Sequence, residues 1–462
     1  MPVRINPWES YLRGWFIAKD QTVGILVNGE FIPAAYGLPR PDVASHFSDA
    51  DITNCGFHVK FCPPRKKSRI KLVAQSKSKK SVLAEIEYVP EPDPEAALFW
   101  PKDEVQRRLA ELPYQPSISI VMSKNNPDRF LLDRCVQSIQ KQHYPNWQLN
   151  TLDEAEGELI VMLDQHDELH PAALLELIRC LNAHSDCEVV YSDEDKLDVE
   201  DSRCDPIIKP DFDPEMLLAF NYIGRLAAFK RTTLEKLEEY SSEWDLLIRI
   251  LDKVGPGGFQ HIPKILYHRR IAVQPGPTHR AWEKTLTDHV IRTGKSAVVE
   301  PGIFEGSMRL KYVAPKEAQV AVFFNPEDDD FQLRTLRSVQ NKRRQISLYP
   351  LSEFAAQRPS ADVFVFINRP LESINHFFFE ELTAQALRAD CGLVTGVSNP
   401  NDNLPRSVDT ISAGFFAVRR EHVLNVGVAG PLDQLIERLL SNAKQRGLRI
   451  LVTPYAVAQV MA

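Results

Sequence analysis

The stretch Leu159–Pro171, with the sequence LIVMLDQHDELHP, decides how the middle of this chain folds. Its first five residues are all apolar, which is typical of a strand buried on both faces of a parallel sheet. The apolar run stops abruptly in Asp164, His166, Asp167 and Glu168. Because an open α/β sheet binds ligands beyond the carboxyl ends of its strands, these side chains are predicted to meet a ligand. Carboxylates suit a hard divalent cation, and such a cation suits the oxygens of a diphosphate.

Strands and helices alternate regularly around this stretch. In chain order they are the strand SISIVM (117–122), the helix FLLDRCVQSIQKQ, the strand LIVML (159–163), the helix AALLELIRCLNAH and the strand EVVYSDEDK. The last strand carries Asp193, Glu194 and Asp195 at its carboxyl end. This alternation predicts a doubly wound, Rossmann-like α/β sheet with both acidic runs on one rim.

The same acidic residues have a plainer explanation. Asp164, Asp167 and Glu168 could cap and charge the start of the following helix, where the helix dipole favours acids. Asp193 and Asp195 could hold Lys196 or a backbone turn. The sequence leaves both interpretations open.

Composition limits the class of protein. The chain has 462 residues, of which 44% are hydrophobic and 25% are charged, as in a globular protein of several domains. Its net charge is −7, which argues against a nucleic-acid partner. No apolar run is long enough to suggest a signal peptide or a membrane span, so we expect a cytoplasmic protein. The seven cysteines form no CxxC pair and are expected to be free thiols.

Residues 1–95 form a first segment of different character. Short β-type runs separated by turn signals such as Asn28-Gly29 predict an all-β sandwich. A basic cluster lies at 65–80, and it contains Arg65, Lys66, Lys67, Arg69, Lys71, Lys77, Lys79 and Lys80. It is interpreted either as a solvated hairpin edge or as a peripheral contact with the inner membrane or an acidic polysaccharide. A proline-rich linker is predicted at 96–116.

The last third of the chain repeats the middle. NPDRFLLDRCVQSIQ (126–140) resembles NPEDDDFQLRTLRSVQ (325–340), and ELIVMLDQHDELHPAALLEL resembles DVFVFINRPLESINHFFFEEL at a nearly constant offset. We therefore predict a diverged second α/β domain at 316–462. In that copy Asn368, Arg369 and Pro370 replace the acids, and Gln434 falls about where a base is expected. The second copy is thus predicted to lack a cation site.

Residues 117–315 resemble family 2 glycosyltransferases of the GT-A fold, of the kind that build O-antigen and other bacterial surface polysaccharides. The segments that carry the resemblance are SISIVMSKNNPDRFLLDRCVQSIQKQHYPNWQL, LDQHDELHP, YSDEDKLD, IKPDFDPEMLLAFNYIG and HIPKILYHRR. The N-terminal part, with GLPRPDVASHF and CGFHVKF, is similar to the β-sandwich modules often fused ahead of such enzymes. The resemblance implies a β-sandwich followed by two GT-A-like α/β domains, both shortened.

The resemblance also implies an activity and the residues that perform it. In the family a nucleotide-sugar donor lies on the rim, a metal offsets charge on the departing diphosphate, and a carboxylate deprotonates the acceptor glycan's hydroxyl. The implied roles are nucleotide or donor binding by Asp164, Asp193 and Asp195, metal binding by His166, Asp167 and His268, and catalysis by Glu243 and Asp245. The implied cofactor is Mn²⁺ or Mg²⁺, and the implied reaction is inverting.

Several departures from the family pattern support a second hypothesis. His166 stands at the second position of the family's D-x-D motif, and imidazole favours softer transition metals than magnesium. The link WQLNTLDEAEGE is too short to hold the strands that build the family's donor pocket, so the second strand is expected to be lost. The alternative is therefore a catalytically inactive scaffold or glycan-binding subunit. A shortened sheet exposes an edge, which predicts a homo-oligomer or a partner glycosyltransferase.

Overall fold

The structure of the chain is a computed structural model, and it is described in segments. These are residues 11–16, 22–27, 29–38, 55–60, 68–76, 80–88, 98, 100–122, 129–197, 203–237, 239–270, 278–325, 336, 345–354, 356, 359–399, 402, 404–411, 414–427 and 431–460. The chain divides into two compact units. The first spans Met1–Pro210, Arg225–Thr232 and Gln260–Val273, and the second spans Asp211–Gly224, Thr233–Phe259 and Gln274–Ala462. The predicted boundaries at 95, 116 and 315 stay predictions.

The described residues contain the following elements. The strands are β1 (Tyr11–Trp15), β2 (Thr22–Val27), β3 (Glu30–Pro33), β4 (Ala35–Leu38), β5 (Gly56–Lys60), β6 (Ser68–Gln75), β7 (Lys80–Tyr88), β8 (Ile118–Met122), β9 (Trp147–Asn150), β10 (Leu159–Leu163), β11 (Glu168–Leu169), β12 (Val189–Leu197), β13 (Arg203–Ile207), β14 (Ala227–Lys230), β15 (Phe259–Arg270), β16 (Ala297–Pro301), β17 (Met308–Tyr312), β18 (Val320–Phe324), β19 (Ile346–Pro350), β20 (Val363–Ile367), β21 (Leu371–Ile374), β22 (Cys391–Val397), β23 (Arg406–Ser407), β24 (Phe415–Arg419) and β25 (Arg449–Val460). The α-helices are α1 (Lys102–Ala110), α2 (Arg129–Gln140), α3 (Ala173–Ala183), α4 (Pro214–Ala219), α5 (Arg231–Leu234), α6 (Glu243–Val254), α7 (His279–Thr293), α8 (Phe378–Ala386), α9 (Arg420–Val426) and α10 (Leu432–Gln445).

The N-terminal strands form two small antiparallel sheets. One has the order β1-β5-β4 and the other has the order β3-β2-β6-β7. Both sheets contribute to one apolar cluster, which includes Val23 and Ile25 of β2, Phe57 and Val59 of β5 and Ile70 of β6. The described residues of this segment are thus rich in β-strands, and their arrangement as a sandwich stays a prediction.

The first large sheet contains the apolar strand Leu159–Leu163. Its strand order is β11-β15-β12-β14-β10-β8-β9, and β13 pairs with β12. β10 lies parallel to β8, with Leu159 opposite Ile118. Leu159, Ile160 and Val161 are at most 2% exposed. The uniformly apolar run therefore forms a strand covered on both faces, as predicted.

The second large sheet has the same design. Its order is β21-β25-β22-β24-β20-β18-β19, so each strand along this path has a counterpart ten strands earlier in the chain. The short strand β23 pairs with β25, whereas β13 pairs with β12. One apolar layer combines β18 and β20 residues with α8, and the other combines them with α9 and α10. Residues 326–335 and 337–344, which carry much of the predicted repeat of α2, lie outside the described residues.

Two details of the first sheet differ from the sequence-based expectations. The expectation that the second strand is lost was wrong, because Trp147–Asn150 forms β9 parallel to β8. Leu149 on this edge strand is 41% exposed, so the segment lacks the apolar pattern of the central strands. In addition, the acids of YSDEDK lie inside β12 rather than beyond its end, because β13 pairs with the second half of that strand.

Candidate functional site

The rim cluster is defined here by the predicted donor and metal residues of the first unit: Asp164, His166, Asp167, Asp193, Asp195 and His268. β10 and β12 each pair antiparallel with β14, so they run in the same direction. Their acidic ends consequently reach the same edge of the sheet. The structure thus gathers at one edge residues that are more than 100 positions apart in sequence.

Asp164 and His166 form a tight turn directly after β10. The Asp164 Oδ1 atom accepts a hydrogen bond of 3.0 Å from the His166 backbone N–H and lies 2.8 Å from His166 Nδ1. Burial acts to raise the pKa of Asp164, but the hydrogen bonds from His166 and the nearby Arg225 charge outweigh it and hold this pKa below its ordinary value. Asp164 is therefore an ionised carboxylate on the rim at neutral pH.

Asp167 points inward from the same turn. Its Oδ2 atom accepts a hydrogen bond of 2.7 Å from the Tyr267 hydroxyl, and its Oδ1 atom accepts one of 2.8 Å from the Arg270 backbone N–H. Burial, together with the neighbouring Asp164 charge, raises the pKa of Asp167 to about 6. Both carboxylate oxygens are thus committed to β15.

The acids of β12 are also paired within the first unit. Asp193 Oδ1 lies 2.9 Å from His261 Nε2 and accepts a hydrogen bond of 2.9 Å from the Lys209 backbone N–H. Asp195 Oδ1 lies 2.8 Å from His268 Nδ1, and its Oδ2 accepts a hydrogen bond of 2.6 Å from Arg203 Nε. These contacts explain how two buried carboxylates are tolerated inside a strand.

Arg225 is the cation that sequence reasoning missed. Its Nη2 atom lies 3.4 Å from Asp164 Oδ2, and its backbone N–H donates a hydrogen bond of 2.8 Å to Glu194 Oε2. Glu194 also accepts a hydrogen bond of 3.0 Å from the buried Lys209 ammonium. The next residue, Leu226, has a φ of 48°, a left-handed conformation that is uncommon for a non-glycine residue. The only sequence signal was a single arginine at the start of an apolar strand.

The residues do not form a ready cation site. Within the segments that the structure describes, no three His, Cys, Asp or Glu side chains are grouped so that they could hold a metal ion. Of the predicted metal ligands, Asp167 is committed to Tyr267 and Arg270, and His268 is committed through Nδ1 to Asp195. Asp164 retains an exposed side-chain fraction of 29%. Mg²⁺ is commonly held by one or two carboxylates plus substrate phosphates, and Asp164 fits that mode.

The two predicted catalytic acids belong to the second unit, at the start of α6. Asp245 is 1% exposed; its Oδ2 atom accepts a hydrogen bond of 2.9 Å from the Ser241 backbone N–H, and its Oδ1 atom accepts one of 3.0 Å from Arg249 Nε. It therefore stabilises the helix start, together with the Ser242 cap. Glu243 is half-buried, and its charge helps burial to raise the pKa of Tyr240.

At the corresponding edge of the second sheet, the described residues that directly follow β20 are Asn368, Arg369 and Pro370 rather than acids. Backbone N–H groups of Asn368 and Arg369, at the end of β20, both donate to the carbonyl of Gly414. The hydroxyl of Thr395, in β22, donates a hydrogen bond of 2.7 Å to the Phe415 carbonyl. The replacement of the acids that the sequence shows is thus accompanied by backbone pairing at the same positions. Gln434 lies on the exposed side of α10.

Only part of the predicted basic cluster falls on described residues. Arg69 and Lys71 lie 3.5 and 3.6 Å from the carboxylate of Glu85, and Lys80 lies over the Phe31 ring. Its other members, Arg65, Lys66, Lys67, Lys77 and Lys79, lie outside the described residues. Among the helices described, none combines the length and the apolar character needed to cross a membrane. The membrane contact stays a prediction.

Comparisons with known proteins give distant relatives. No protein-family model matches the chain. It is 28% identical to the uncharacterized protein y4gI of Sinorhizobium fredii (strain NBRC 101917 / NGR234), over 44% of this chain and 29% of that protein. It is 22% identical to the O-antigen biosynthesis protein RfbC of Myxococcus xanthus, over 63% of this chain and 30% of that protein. The chain thus spans about three-tenths of the length of these curated relatives.

Among solved structures, the chain matches TarS from S. aureus. The crystal structure of TarS residues 1–349 superposes with a TM-score of 0.26 and 14% identity, over 38% of this chain and 71% of that chain. A likeness of this size does not define a shared fold. What the sequence comparisons establish is that the chain is a distant relative of a protein named for O-antigen biosynthesis.

Proposed function

We propose that this chain is a glycosyltransferase-like enzyme that transfers a sugar from a nucleotide-sugar donor to a surface-polysaccharide, lipid-linked or protein acceptor. The rim cluster is the observation that carries the proposal, because it gathers carboxylates and imidazoles, with Arg225 beside them, at the edge where an α/β sheet binds ligands. The distant relation to an O-antigen biosynthesis protein supports the same class of reaction. The family 2 assignment and the GT-A fold are parts of this proposal.

The chemistry of the rim cluster suits a nucleotide diphosphate. Asp164 is ionised and partly exposed, so its carboxylate can accept hydrogen bonds from a ribose hydroxyl. Arg225, 3.4 Å from that carboxylate, supplies a guanidinium, whose planar donors match phosphate oxygens. An acceptor and a cationic donor side by side are what the junction of ribose and diphosphate requires. The buried pairs Asp193–His261 and Asp195–His268 hold the strands beneath them in place.

A divalent cation, Mn²⁺ or Mg²⁺, belongs to the proposal as a companion of the donor. Asp164 would hold it together with the donor's diphosphate oxygens, since the described residues do not supply three ligands on their own. When bound, such a cation acts as a Lewis acid that offsets charge on the leaving diphosphate. Arg225 performs part of the same electrostatic task with a permanent charge.

Glu243 is the acceptor base in this proposal, and Asp245 is a positioning residue. Because Asp245 is buried and bonded to Ser241 and Arg249, it orients the first turn of α6 from which Glu243 projects. A carboxylate in that role removes the proton of the acceptor hydroxyl as the oxygen attacks the sugar carbon. In-line attack on the face opposite the diphosphate inverts the configuration at that carbon.

A second candidate function is a non-catalytic scaffold or glycan-binding subunit. The observation that favours it is that the carboxylates of Asp167, Asp193 and Asp195 are each paired with neighbouring protein groups. Carboxylates that are paired in this way can have a purely structural role. Nucleotide binding separates the two candidates.

The test is a calorimetric titration of UDP, GDP and dTDP, with and without Mn²⁺. The variants are the wild type, Asp164→Asn, and Asp153→Asn as a matched control at an exposed aspartate. We expect binding of at least one nucleotide in the micromolar range. Asp164→Asn should weaken it at least about tenfold, since a hydrogen bond to a charged group is lost.

The control variant should bind like the wild type. If no nucleotide binds to the folded protein in any condition, the transferase proposal fails and the scaffold function stands. If binding survives equally in Asp164→Asn, the nucleotide site lies somewhere other than the rim cluster.

A further inference from the structure

The second unit contains a cleft that has no part in the proposed transfer reaction. Its volume is about 780 Å³, which is within the range of small-ligand sites. Its lining includes Lys295, Lys316, Arg388, Arg419, Asp390 and Tyr312. We call it the lysine cleft. It shares no residue with the rim cluster.

The charge of the lysine cleft is opposite to that of the chain. Four of the lining side chains are cationic, and one, Asp390, is acidic. The whole chain has a net charge of −7. A concave surface with an excess of one sign of charge concentrates ligands of the other sign.

The two arginines of the lysine cleft are occupied by the protein itself. Arg388 donates hydrogen bonds of 2.7–2.8 Å to Glu215 and of 3.1 Å to Asp390, and its guanidinium lies 4.3 Å from the centre of the Tyr312 ring. Arg419 Nε donates to the Ala386 carbonyl at 3.1 Å. These arginines therefore have a structural role in the wall of the cleft, and the lysines are the candidates for contact with a ligand.

Lys295 is held in place from behind. It follows Gly294, whose φ of 63° ends α7 in a left-handed cap, and its backbone N–H donates to the Val290 carbonyl at 3.2 Å. The Lys295 ammonium lies 3.0 Å from His289 Nε2, and His289 Nδ1 lies 2.8 Å from Asp252. A neutral His289 that carries its proton on Nδ1 accepts a hydrogen bond from the Lys295 ammonium through Nε2.

The two lysines of the cleft differ from its arginines in their partners. Among the residues that the structure describes, neither Lys295 nor Lys316 forms an ion pair with a carboxylate, although the chain is rich in acids. Burial, reinforced by the nearby Arg388, lowers the pKa of Lys295 below its ordinary value. An anion bound beside Lys295 would relieve that cost, because an opposite charge favours the ammonium form.

We propose that the lysine cleft binds a small oxyanion, carried by a phosphate- or carboxylate-bearing molecule, through Lys295 and Lys316. This proposal goes beyond the transfer reaction and does not depend on it. A phosphorylated compound and an acidic sugar share the oxyanion chemistry. They are distinguished by the probe that binds.

The test titrates inorganic pyrophosphate and, separately, digalacturonate into the full chain by calorimetry. The variants are the wild type, Lys295→Met/Lys316→Met, Asp164→Asn and, as a matched control, Lys311→Met, a half-exposed lysine that does not line this cleft. We expect at least one probe to bind. The double variant should bind it at least about tenfold more weakly, because two charge-assisted contacts are lost. Lys311→Met should leave this binding unchanged, whereas Asp164→Asn should weaken only the pyrophosphate bound at the rim cluster and so separates the two sites.

A labelling experiment on the wild type avoids dependence on the folding of the double variant. Pyridoxal 5′-phosphate condenses with a lysine amine, loses water to form an imine, and is fixed by borohydride reduction. Peptide mapping should show Lys295 or Lys316 labelled in preference to Lys311, more by pyridoxal 5′-phosphate than by pyridoxal. The labelling should be suppressed by whichever probe binds. Binding of neither probe, or binding and labelling that ignore these two lysines, would overturn the proposal.

Discussion

The two large sheets of this chain share one strand order but differ in what lies at the ends of their strands. β10 of the first sheet continues into Asp164, His166 and Asp167, whereas β20 of the second continues into Asn368 and Arg369. The interiors, by contrast, are equally apolar, with Val161 and Val365 both fully buried. Apolar burial holds the strand order, while the strand ends diverge because they contribute little to the core.

The comparison also shows two uses of buried charge. In the first unit, buried acids such as Asp193 and Asp195 pair with histidines that lie along β15, next to the rim. In the second unit, Glu215 joins Arg388 and Arg449 in a network that also holds Asp390. The first arrangement lies beside the partly exposed Asp164 of the rim cluster. The second holds α4 against α8 and β25, which is a structural task.

We expect the largest loss of stability when a charge is placed in the apolar interior of either large sheet. Val161→Asp and Val365→Asp each place an unpaired carboxylate in a fully apolar strand, and each should cost more than about 4 kcal/mol of unfolding free energy. Limited proteolysis with mass mapping should show the first unit cleaved in one variant and the second unit cleaved in the other. If either strand tolerates the charge, the two interiors are not equivalent.

A somewhat smaller loss is expected when the buried ion network of the second unit is broken. Glu215→Ala leaves Arg388 and Arg449 sharing Asp390, and we expect a loss of about 3–5 kcal/mol in urea denaturation. The matched control is Glu421→Ala, which removes an exposed partner of Arg419 and should change stability by less than about 0.5 kcal/mol. Equal effects of the two substitutions would show that the network is not structural.

The smallest effect concerns a titratable group that the first sheet has and the second lacks. Asp167 corresponds to Leu371 in the repeat, and burial raises the pKa of Asp167 from 3.8 to about 6. The native state then holds the proton to higher pH than the unfolded state, so stability should fall as pH rises from about 4 to about 6. Relative to Asp167→Asn, the wild type should lose about 3 kcal/mol across this window.

The measurement is a series of urea denaturations of both proteins between pH 4 and pH 7, in which the difference in slope matters rather than the difference in absolute stability. The Asn variant removes the titration but keeps the size of the side chain. Parallel curves for the two proteins would mean that Asp167 titrates alike in the folded and unfolded states.

Much of the architecture was predictable because it depends on local patterns. The mostly apolar run at 118–122 and the uniformly apolar run at 159–163 predicted buried parallel strands, and both form them. The weak repeat between residues 158–177 and 362–382 indicated the second sheet, whose strand order repeats that of the first. β9 was missed because an edge strand with an exposed Leu149 has no continuous apolar pattern.

The sequence predicted which residues lie at the rim cluster, but it did not predict which groups they contact. Asp164 and Asp167 are three residues apart, yet one is an ionised rim carboxylate and the other turns inward to Tyr267. Asp245 was predicted as a catalytic acid, but its carboxylate is bonded to Ser241 and Arg249 at a helix start. Arg225 was overlooked because nothing in its neighbourhood indicates that it lies 3.4 Å from Asp164.

The sequence by itself determined which segments become strands and where acidic residues follow them, because periodicity and apolar runs act over a few neighbouring residues. Only the tertiary structure decided which of those acids remain exposed and which are buried in hydrogen bonds or ion pairs with other residues. That outcome depends on residues about 20 to 100 positions away, such as Lys209, Arg270 and His268, which strand pairing brings within hydrogen-bond distance. A carboxylate's pKa follows from burial and from those partners, and neither is encoded in the residues beside it.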